Sequence, residues 1–343
     1  MKVCQIMAGD EEGGLENHFV ELCNGLADRI DEVVVIAHEK YGDRFRPEVR
    51  FLPLDLSGSR RNPWLLFCLA RLIRQEAPDI VHAQANKAVD MLARIHAFVP
   101  GYRIGTLHGR KKNLGMFARM QTVVGVSRGV VEGLKHPDVR VVYNGIRPYT
   151  GSQYDRPELA RLLGLDPGLG ITLAVGRLAP VKAFDNLINA WCESFGQLLI
   201  VGDGPERSAL EVLIKSRGLG KRVVLAGFRD DVRALMSAAD LLVFSSHREG
   251  FSYVLVEALL AGLPVLSTAV PGAIEVLPED YLVPVNDVPA LHRALQRVLE
   301  APEVARRDQS ALFEWARQAL TIDRMLADTV EIYSSVIRNR EGC

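Results

Sequence analysis

From Val3 to Val285 short apolar runs alternate with amphipathic stretches, and this alternation constrains the chain more than any other feature of it. Runs such as Val3–Ala8, Val33–Ala37, Asp79–Ala83, Tyr102–Thr106 and Thr122–Val126 are too short for helices and rich in β-branched residues. Between them, Leu15–Asp28, Pro63–Glu76 and Lys87–Phe98 carry apolar residues at helical spacing. A parallel strand needs a crossover to reach its neighbour, and a helix supplies it while covering a face of the sheet. The pattern therefore predicts α/β architecture with parallel sheets. At 343 residues, 48% hydrophobic and 24% charged, the chain has material for two such domains, each with its own core.

The division shows in the turn residues. Tyr143-Asn144-Gly145-Ile146-Arg147, then Pro148, Gly151 and Pro157, read as a linker, followed by a helix at Arg156–Leu163. Gly164–Gly170 precedes a second alternation with strands at Ile171–Val175, Leu198–Val201, Val223–Ala226, Leu241–Phe244, Pro264–Ser267 and Tyr281–Val285. We assign residues 1–165 and 166–320 to two doubly wound, Rossmann-like domains facing a central cleft. The stretch 321–343 is a terminal helix, with Ile322, Met325, Leu326, Val330, Tyr333 and Ile337 on one stripe.

Composition excludes several classes. No apolar run approaches the roughly 18 residues of a spanning helix, and Met1–Ile6 enters a strand pattern without the features of a signal peptide. Cys4, Cys23, Cys68, Cys192 and Cys343 are scattered, without metal-ligand spacing, which fits free thiols in a reducing, cytoplasmic setting. Residues 101–147 hold 9 basic and 2 acidic residues, including Arg110-Lys111-Lys112. Such a run is either a solvated face or an electropositive rim for an anionic acceptor. Without interleaved aromatics it does not fit nucleic acid.

Ligands of open parallel sheets sit beyond the carboxyl ends of the strands, and the unusual residues fall there. Gly13-Gly14 follows the first strand, and His108-Gly109 follows Tyr102–Thr106. Gly176-Arg177-Leu178-Ala179-Pro180-Val181-Lys182 follows Ile171–Val175 and supplies an Arg fork and a Lys point charge suited to a diphosphate. Val201-Gly202-Asp203-Gly204-Pro205 repeats the strand–turn–helix device, with Pro205 expected at the first helical position. Gly227-Phe228-Arg229 offers an aromatic and amides where a base could lodge. In Arg248–Ala258, Ser252 reads as the cap of a helix ending at Gly262-Leu263-Pro264, with Glu249 before it and Glu257 inside it. A helix mouth flanked by carboxylates suits a ligand carrying both phosphate and hydroxyls. Each feature alone reads equally as a tight turn, a solvated charge or a capped helix. Their shared place on one rim is what points to a nucleotide sugar.

These residues together resemble the retaining group 1 GT-B glycosyltransferases (glycosyltransferase family 4-like), among them enzymes of lipopolysaccharide-core type. The resemblance is dense over 174–285, where Gly176-Arg177…Lys182, Val201–Pro205, Gly227-Phe228, Ala239-Asp240-Leu241 and Glu249-Gly250-Phe251…Glu257-Ala258…Gly262-Leu263-Pro264-Val265 fit. It is looser at Gly13–Glu16, His108-Gly109, Val126-Ser127 and Asn144–Ile146. The resemblance implies a donor bound mainly by the second domain, UDP-sugar first and GDP-sugar next, and an acceptor glycan or glycolipid bound mainly by the first. It implies that Arg177 and Lys182 hold the diphosphate, Glu257 the ribose, and Phe228 and Arg229 the side of the base. Glu249 and the amides of Gly250, Phe251 and Ser252 would contact the sugar, with Gly13, Gly14 and Gly202 lining the donor's approach. His108 would hydrogen-bond the sugar near its scissile face, and the terminal helix would cross back to the first domain. Ala183 departs from the family, which has Gly after the Lys; at a helix start Ala is tolerable.

The same resemblance implies retention by front-face attack. With two cations serving the leaving group and no Asp-x-Asp in the chain, neither a metal nor another cofactor is expected. For the acceptor, Arg110, Lys111 and Lys112, together with Arg60-Arg61-Asn62-Pro63-Trp64-Leu65-Leu66-Phe67, suit an anionic glycolipid at the inner face of the cytoplasmic membrane. The alternatives are a GT-B nucleotide-sugar epimerase, a phosphorylase, a glycoside hydrolase using Glu249 and Glu257, or a catalytically silent partner subunit.

Overall fold

The computed structural model describes residues 1–10, 13–109 and 114–341, and the chain divides into two compact units. Met1–Gly145 and the segment from Thr321 onward form the first; Ile146–Leu320 forms the second.

In the first unit the strands β1 (Lys2–Met7), β2 (Glu32–Ala37), β3 (Val49–Pro53), β4 (Ile80–Gln84), β5 (Tyr102–Leu107), β6 (Thr122–Gly125) and β7 (Val139–Val141) make one sheet. Its order is β3-β2-β1-β4-β5-β6-β7, parallel throughout. Helices α1 (Gly14–Leu26), α2 (Pro63–Glu76), α3 (Ala85–Ile95) and α4 (Arg128–Val131) return the chain between strands. The α2 helix starts where Asn62 accepts from the Trp64 amide at 3.0 Å and Pro63 presets the backbone. Because β1 pairs with both β2 and β4, the winding direction reverses there, leaving a crevice past their carboxyl ends.

The second unit repeats the plan. Its strands are β8 (Ile171–Val175), β9 (Gln197–Val201), β10 (Val223–Gly227), β11 (Leu241–Phe244), β12 (Val265–Thr268) and β13 (Leu282–Val283), in the order β10-β9-β8-β11-β12-β13. The reversal falls between β8 and β11. Helices α5 (Arg156–Leu163), α6 (Phe184–Ala190), α7 (Arg207–Ser216), α8 (Val232–Ala238) and α9 (Tyr253–Ala261) cover this sheet together with α10 (Pro271–Ile274), α11 (Val288–Glu300), α12 (Pro302–Asp308) and α13 (Ser310–Ala319). Its core gathers Trp191, Phe195, Leu198, Ile200, Leu241, Val243 and Leu266 with Leu291 and Leu295 of α11.

The last helix, α14 (Ile322–Glu341), belongs to the first unit. Its Ile322, Met325, Leu326, Tyr333 and Val336 join Phe19, Leu22, Cys23 and Leu26 of α1 in one buried cluster against the sheet. Burying that stripe offsets the entropy of ordering a helix at the end of the chain. Cys4 and Cys23 are buried free thiols, and burial pushes Cys4 up to about 12; Cys68 and Cys192 are half-buried.

Candidate functional site

In the second unit the loops leaving the carboxyl ends of the strands are tied to one another. The Gly176 amide donates to the Val201 carbonyl at 2.9 Å, Leu178 to Asp203 at 2.9 Å, Gly202 to Gly227 at 2.8 Å and His247 to Val181 at 2.8 Å. Ser245 Oγ donates to the Lys182 carbonyl at 2.8 Å and Thr268 Oγ1 to the Ser246 carbonyl at 2.7 Å. Two glycines permit this closeness. A Cβ at Gly202, whose φ is +141°, would stand 1.9 Å from the Gly176 carbonyl oxygen, and one at Gly272 would stand 2.0 Å from that of Gly250. The rim is thus a fixed frame for the side chains it carries.

Arg177 is exposed on the loop after β8. Lys182, from the same loop, lays its stem over Gly176 and ion-pairs with Glu249 from the loop after β11. Only 19% and 17% of these two side chains are exposed, so each orients the other while keeping access to solvent. Ser252 Oγ accepts from the Leu255 amide at 3.2 Å and caps α9, which Gly262 ends at φ +67°. Glu257 lies half-buried on the second turn of α9; Gly250 is half-buried and Phe251 buried. Phe228 is 81% exposed at the end of β10. Arg229 turns onto Asp231, with Nε 2.7 Å from Oδ1, and the Tyr154 hydroxyl donates to the same carboxylate at 2.9 Å. That guanidinium holds the Asp231 carboxyl below its usual range.

Every residue singled out in this half therefore lies along the carboxyl edge of one sheet, and Lys182 and Glu249 meet directly. Two expectations need correction. Pro205 lies two residues before α7, in a turn closed by the Arg207 amide donating to the Gly204 carbonyl at 3.2 Å, so the helical bonds begin at the Glu206 carbonyl, which accepts from Leu210 at 2.9 Å. Ala183 is left-handed, at φ +49°, in front of α6 rather than in an easy helical conformation. An L-residue there is strained, and the family's glycine has a steric reason.

In the first unit a cavity of about 1190 Å³ opens past β1, β4 and β5. Gly9, Asp10, Leu15 and Glu16 line it after β1, Ala85, Asn86 and Lys87 after β4, and His108 and Gly109 after β5. Arg60, Arg61, Asp90 and Arg94 close its outer side. Asp90 braces Arg60 at 3.7 Å and Arg94 at 3.3 Å, and the Lys87 ammonium donates to the Ser57 carbonyl. Ala85 holds φ +64°, a second strained alanine at a strand-to-helix turn. Gly13 is the cap of α1 and Gly14 its first residue. Arg110, Lys111 and Lys112 lie outside the described residues.

His108 is half-buried, with Nε2 3.1 Å from Gln84 Oε1 and its ring edge-on to His18 at 5.1 Å. Burial, reinforced by the neighbouring imidazoles, pushes His108 well below the ordinary histidine value; burial takes His18 to about 4 and His82 to about 3. At neutral pH these rings are uncharged, so His108 can act as a hydrogen-bond partner and not as a cation. Beneath it lie Gln5, His82, Gln84, Thr106 and Tyr333, all buried, which sequence reasoning did not single out as polar site residues. The signal was there: a Gln inside Val-Cys-Gln-Ile-Met, and a His and a Gln inside Ile-Val-His-Ala-Gln, on strands otherwise continuously apolar.

Cations on one rim can neutralise a leaving oxyanion, and a carboxylate and a neutral imidazole can engage hydroxyls. A family model described as glycosyl transferases group 1 matches residues 155–311, and one described as glycosyltransferase family 4 matches residues 12–148. A lipopolysaccharide core biosynthesis glycosyltransferase, LpsE of Rhizobium meliloti, is 27% identical over 94% of this chain and 97% of its own. The N-acetyl-alpha-D-glucosaminyl L-malate synthase of Bacillus anthracis is 26% identical over 96% and 91%. Among solved structures, Anabaena Alr3699/HepE in complex with UDP and glucose superposes with a TM-score of 0.83 at 23% identity, covering 98% of this chain and 100% of that one, which is a likeness of GT-B fold. No described helix is long and apolar enough to cross a membrane.

Proposed function

The chain belongs to the group 1, family 4 glycosyltransferases, and from that premise we propose that it moves a sugar, with retention, from a nucleoside-diphosphate sugar to a glycan or glycolipid acceptor. The donor in this reading is a UDP-sugar, with GDP-sugar next; the complex of the Anabaena protein with UDP supports that order. The observation that carries the reading is the contact of Lys182 with Glu249 at the reversal point of the second sheet, beside Arg177. It gives a diphosphate two cations and the attached sugar a carboxylate, at the place where such sheets bind nucleotides.

In the transfer, the bond between the anomeric carbon and the diphosphate oxygen breaks and its electron pair leaves with the phosphate. Arg177 and Lys182 stabilise that growing charge; one preorganised donor of this kind is worth about 3 kcal/mol. The acceptor hydroxyl oxygen bonds to the anomeric carbon from the same face, and its proton passes to the departing phosphate oxygen. Glu257 accepts from the ribose hydroxyls, Phe228 and Arg229 flank the base, and the amides of Gly250, Phe251 and Ser252 contact the sugar with Glu249. Gly13, Gly14 and Gly202 allow close backbone approach, and neutral His108 hydrogen-bonds the sugar. No metal takes part.

The acceptor, on this account, carries an anionic group, and belongs to cell-envelope biosynthesis of the lipopolysaccharide-core kind. Arg60, Arg61, Lys87 and Arg94 around the first unit's cavity support an anion there, as do relatives named for lipopolysaccharide core and for L-malate. In the sequence, Arg110, Lys111 and Lys112 follow His108-Gly109 directly and add positive charge to this reading. Trp64 and Phe67, 71% and 56% exposed and stacked at 5.7 Å, follow Arg60 and Arg61 on α2 and would meet an anionic membrane from the cytoplasmic side. Salt-insensitive binding to anionic vesicles, or binding unchanged in Trp64→Ser with Phe67→Ser, would remove that part.

The test of the whole reading is turnover of UDP-, GDP- and ADP-sugars, with and without lipopolysaccharide-core acceptors, followed by the anomeric configuration of the product. Acceptor-dependent transfer from a UDP-sugar with retained configuration, unchanged by a metal chelator, is expected. An epimerised donor, hydrolysis of glycosides or an inverted product would overturn it.

A further inference from the structure

Deep in the first unit, a single line of hydrogen bonds joins the last helix to the candidate sugar-binding histidine. Gln5 is on β1, His82 and Gln84 on β4, Thr106 on β5, His108 just past β5, and Tyr333 on α14. The strand register places Gln5 beside His82 and Gln84 beside Thr106, so side chains two apart on adjacent strands share one face. That face packs against α1 and α14. Gln5, His82, Gln84, Thr106 and Tyr333 are each at most 4% exposed.

The bonds run in sequence. Gln5 Nε2 donates to the Tyr333 hydroxyl at 2.7 Å, and His82 Nδ1 is 2.6 Å from the same oxygen. His82 Nε2 is 2.6 Å from Thr106 Oγ1. Gln84 Nε2 donates to Gln5 Oε1 at 3.2 Å, and His108 Nε2 is 3.1 Å from Gln84 Oε1. The tyrosine oxygen can accept from both Gln5 Nε2 and His82 Nδ1, and Gln84 Nε2 lies 3.4 Å from His82 Nε2, a contact that makes Nε2 the acceptor and puts the His82 proton on Nδ1. An amide whose nitrogen faces Gln5 turns its oxygen to His108, so His108 carries its proton on Nε2 and its lone pair on Nδ1. Turning the Gln5 amide forces the Gln84 amide to turn with it, because in each the nitrogen serves one neighbour and the oxygen the next.

We propose that Tyr333 is a positioning residue: through Gln5 and Gln84 it holds the tautomer and orientation of His108. It touches neither donor nor acceptor. The proposal rests on the reading of His108 as the hydrogen-bond partner of the transferred sugar, for which a fixed acceptor nitrogen is worth more than a ring that alternates. An apolar residue would fill the Tyr333 site without the line; the hydroxyl is what connects the helix to the strand ends.

The test is a long-range proton–nitrogen spectrum of intact protein labelled with 15N-histidine, with His82 and His108 assigned by substitution. In the wild type His108 should report a proton on Nε2 alone. In Tyr333→Phe, Gln5 and Gln84 lose their fixed direction, and His108 should show both tautomers while kcat for transfer falls about tenfold with donor KM unchanged. Gln5→Met cuts the same line at a different place and should give the same spectrum if Tyr333→Phe does not fold. A His108 proton on Nδ1 in the wild type, or an unaltered His108 signal in a folded variant, would overturn the proposal. A changed tautomer with an unchanged kcat would leave the line standing and overturn the placing of His108 at the sugar instead.

Discussion

Lys182 and Glu249 are 67 residues apart, and the fold sets them in contact. Each was legible as a candidate because of what surrounds it: a charged residue just past an apolar strand, next to a glycine turn. Their ion pair was not, since it depends on how two loops close over Gly176 and Gly202. Replacing Lys182 by Ala should lower kcat by about 10²- to 10³-fold, the usual effect of removing one preorganised charge from a leaving group, with the thermal midpoint little changed. A variant with near-normal kcat would mean that this ammonium does not serve the reaction. Ala183 shows the opposite limit of sequence reading. Its identity was visible but its left-handed backbone was not, and only the backbone shows that the position suits glycine.

Among the elements, those with strong end signals were read well. The α9 helix starts behind Ser252 and stops at Gly262 as the capping residues predict, and α5 spans Arg156–Leu163 as expected. The α11 helix went unread although Asp287, Val288 and Pro289 are ordinary start signals, with Leu291, Leu295 and Val298 behind them on its buried face. The α7 helix begins later than its proline suggested because Pro205 and Glu206 form a turn closed from Arg207 back to Gly204. One support for β12 was beyond any local pattern. The fully buried Gln309 side chain, outside the regular helices, accepts from the Val265 amide at 3.0 Å and donates to the Val265 carbonyl at 2.9 Å, in the manner of a short strand. Gln309→Leu should therefore cost about 2 to 4 kcal/mol, because two buried backbone groups lose their partners. Chemical denaturation measures it, and a loss below about 0.5 kcal/mol would show that the start of β12 finds other partners.

For the whole molecule, strand alternation was enough to predict two doubly wound sheets, since a parallel sheet leaves few ways to arrange strand–helix repeats. The polar line under His108 was hidden because it is made by strand register and by a helix from the far end of the chain. Its histidines have a consequence for stability. Burial depresses His18 to about 4 and His82 to about 3, so between about pH 6.5 and those values the unfolded chain binds protons that the folded one does not. Stability should hold above about pH 6.5 and fall, by on the order of a few kcal/mol, as the pH drops toward 4. A double replacement of His18 and His82 by Gln, if it folds, should flatten that limb. An equally steep acid limb in the variant would place the cause elsewhere.

The central claim is that the carboxyl edge of the second sheet grips a nucleoside diphosphate with Arg177 and Lys182. Calorimetric titration of UDP into the intact protein tests it most directly, in the wild type and in Arg177→Ala with Lys182→Ala. The account predicts a single site in the wild type and a loss of about 100-fold or more in affinity in the variant, since each charged hydrogen bond is worth about 1.5 to 3 kcal/mol. Equal affinity in the two proteins, with the variant folded, would contradict it.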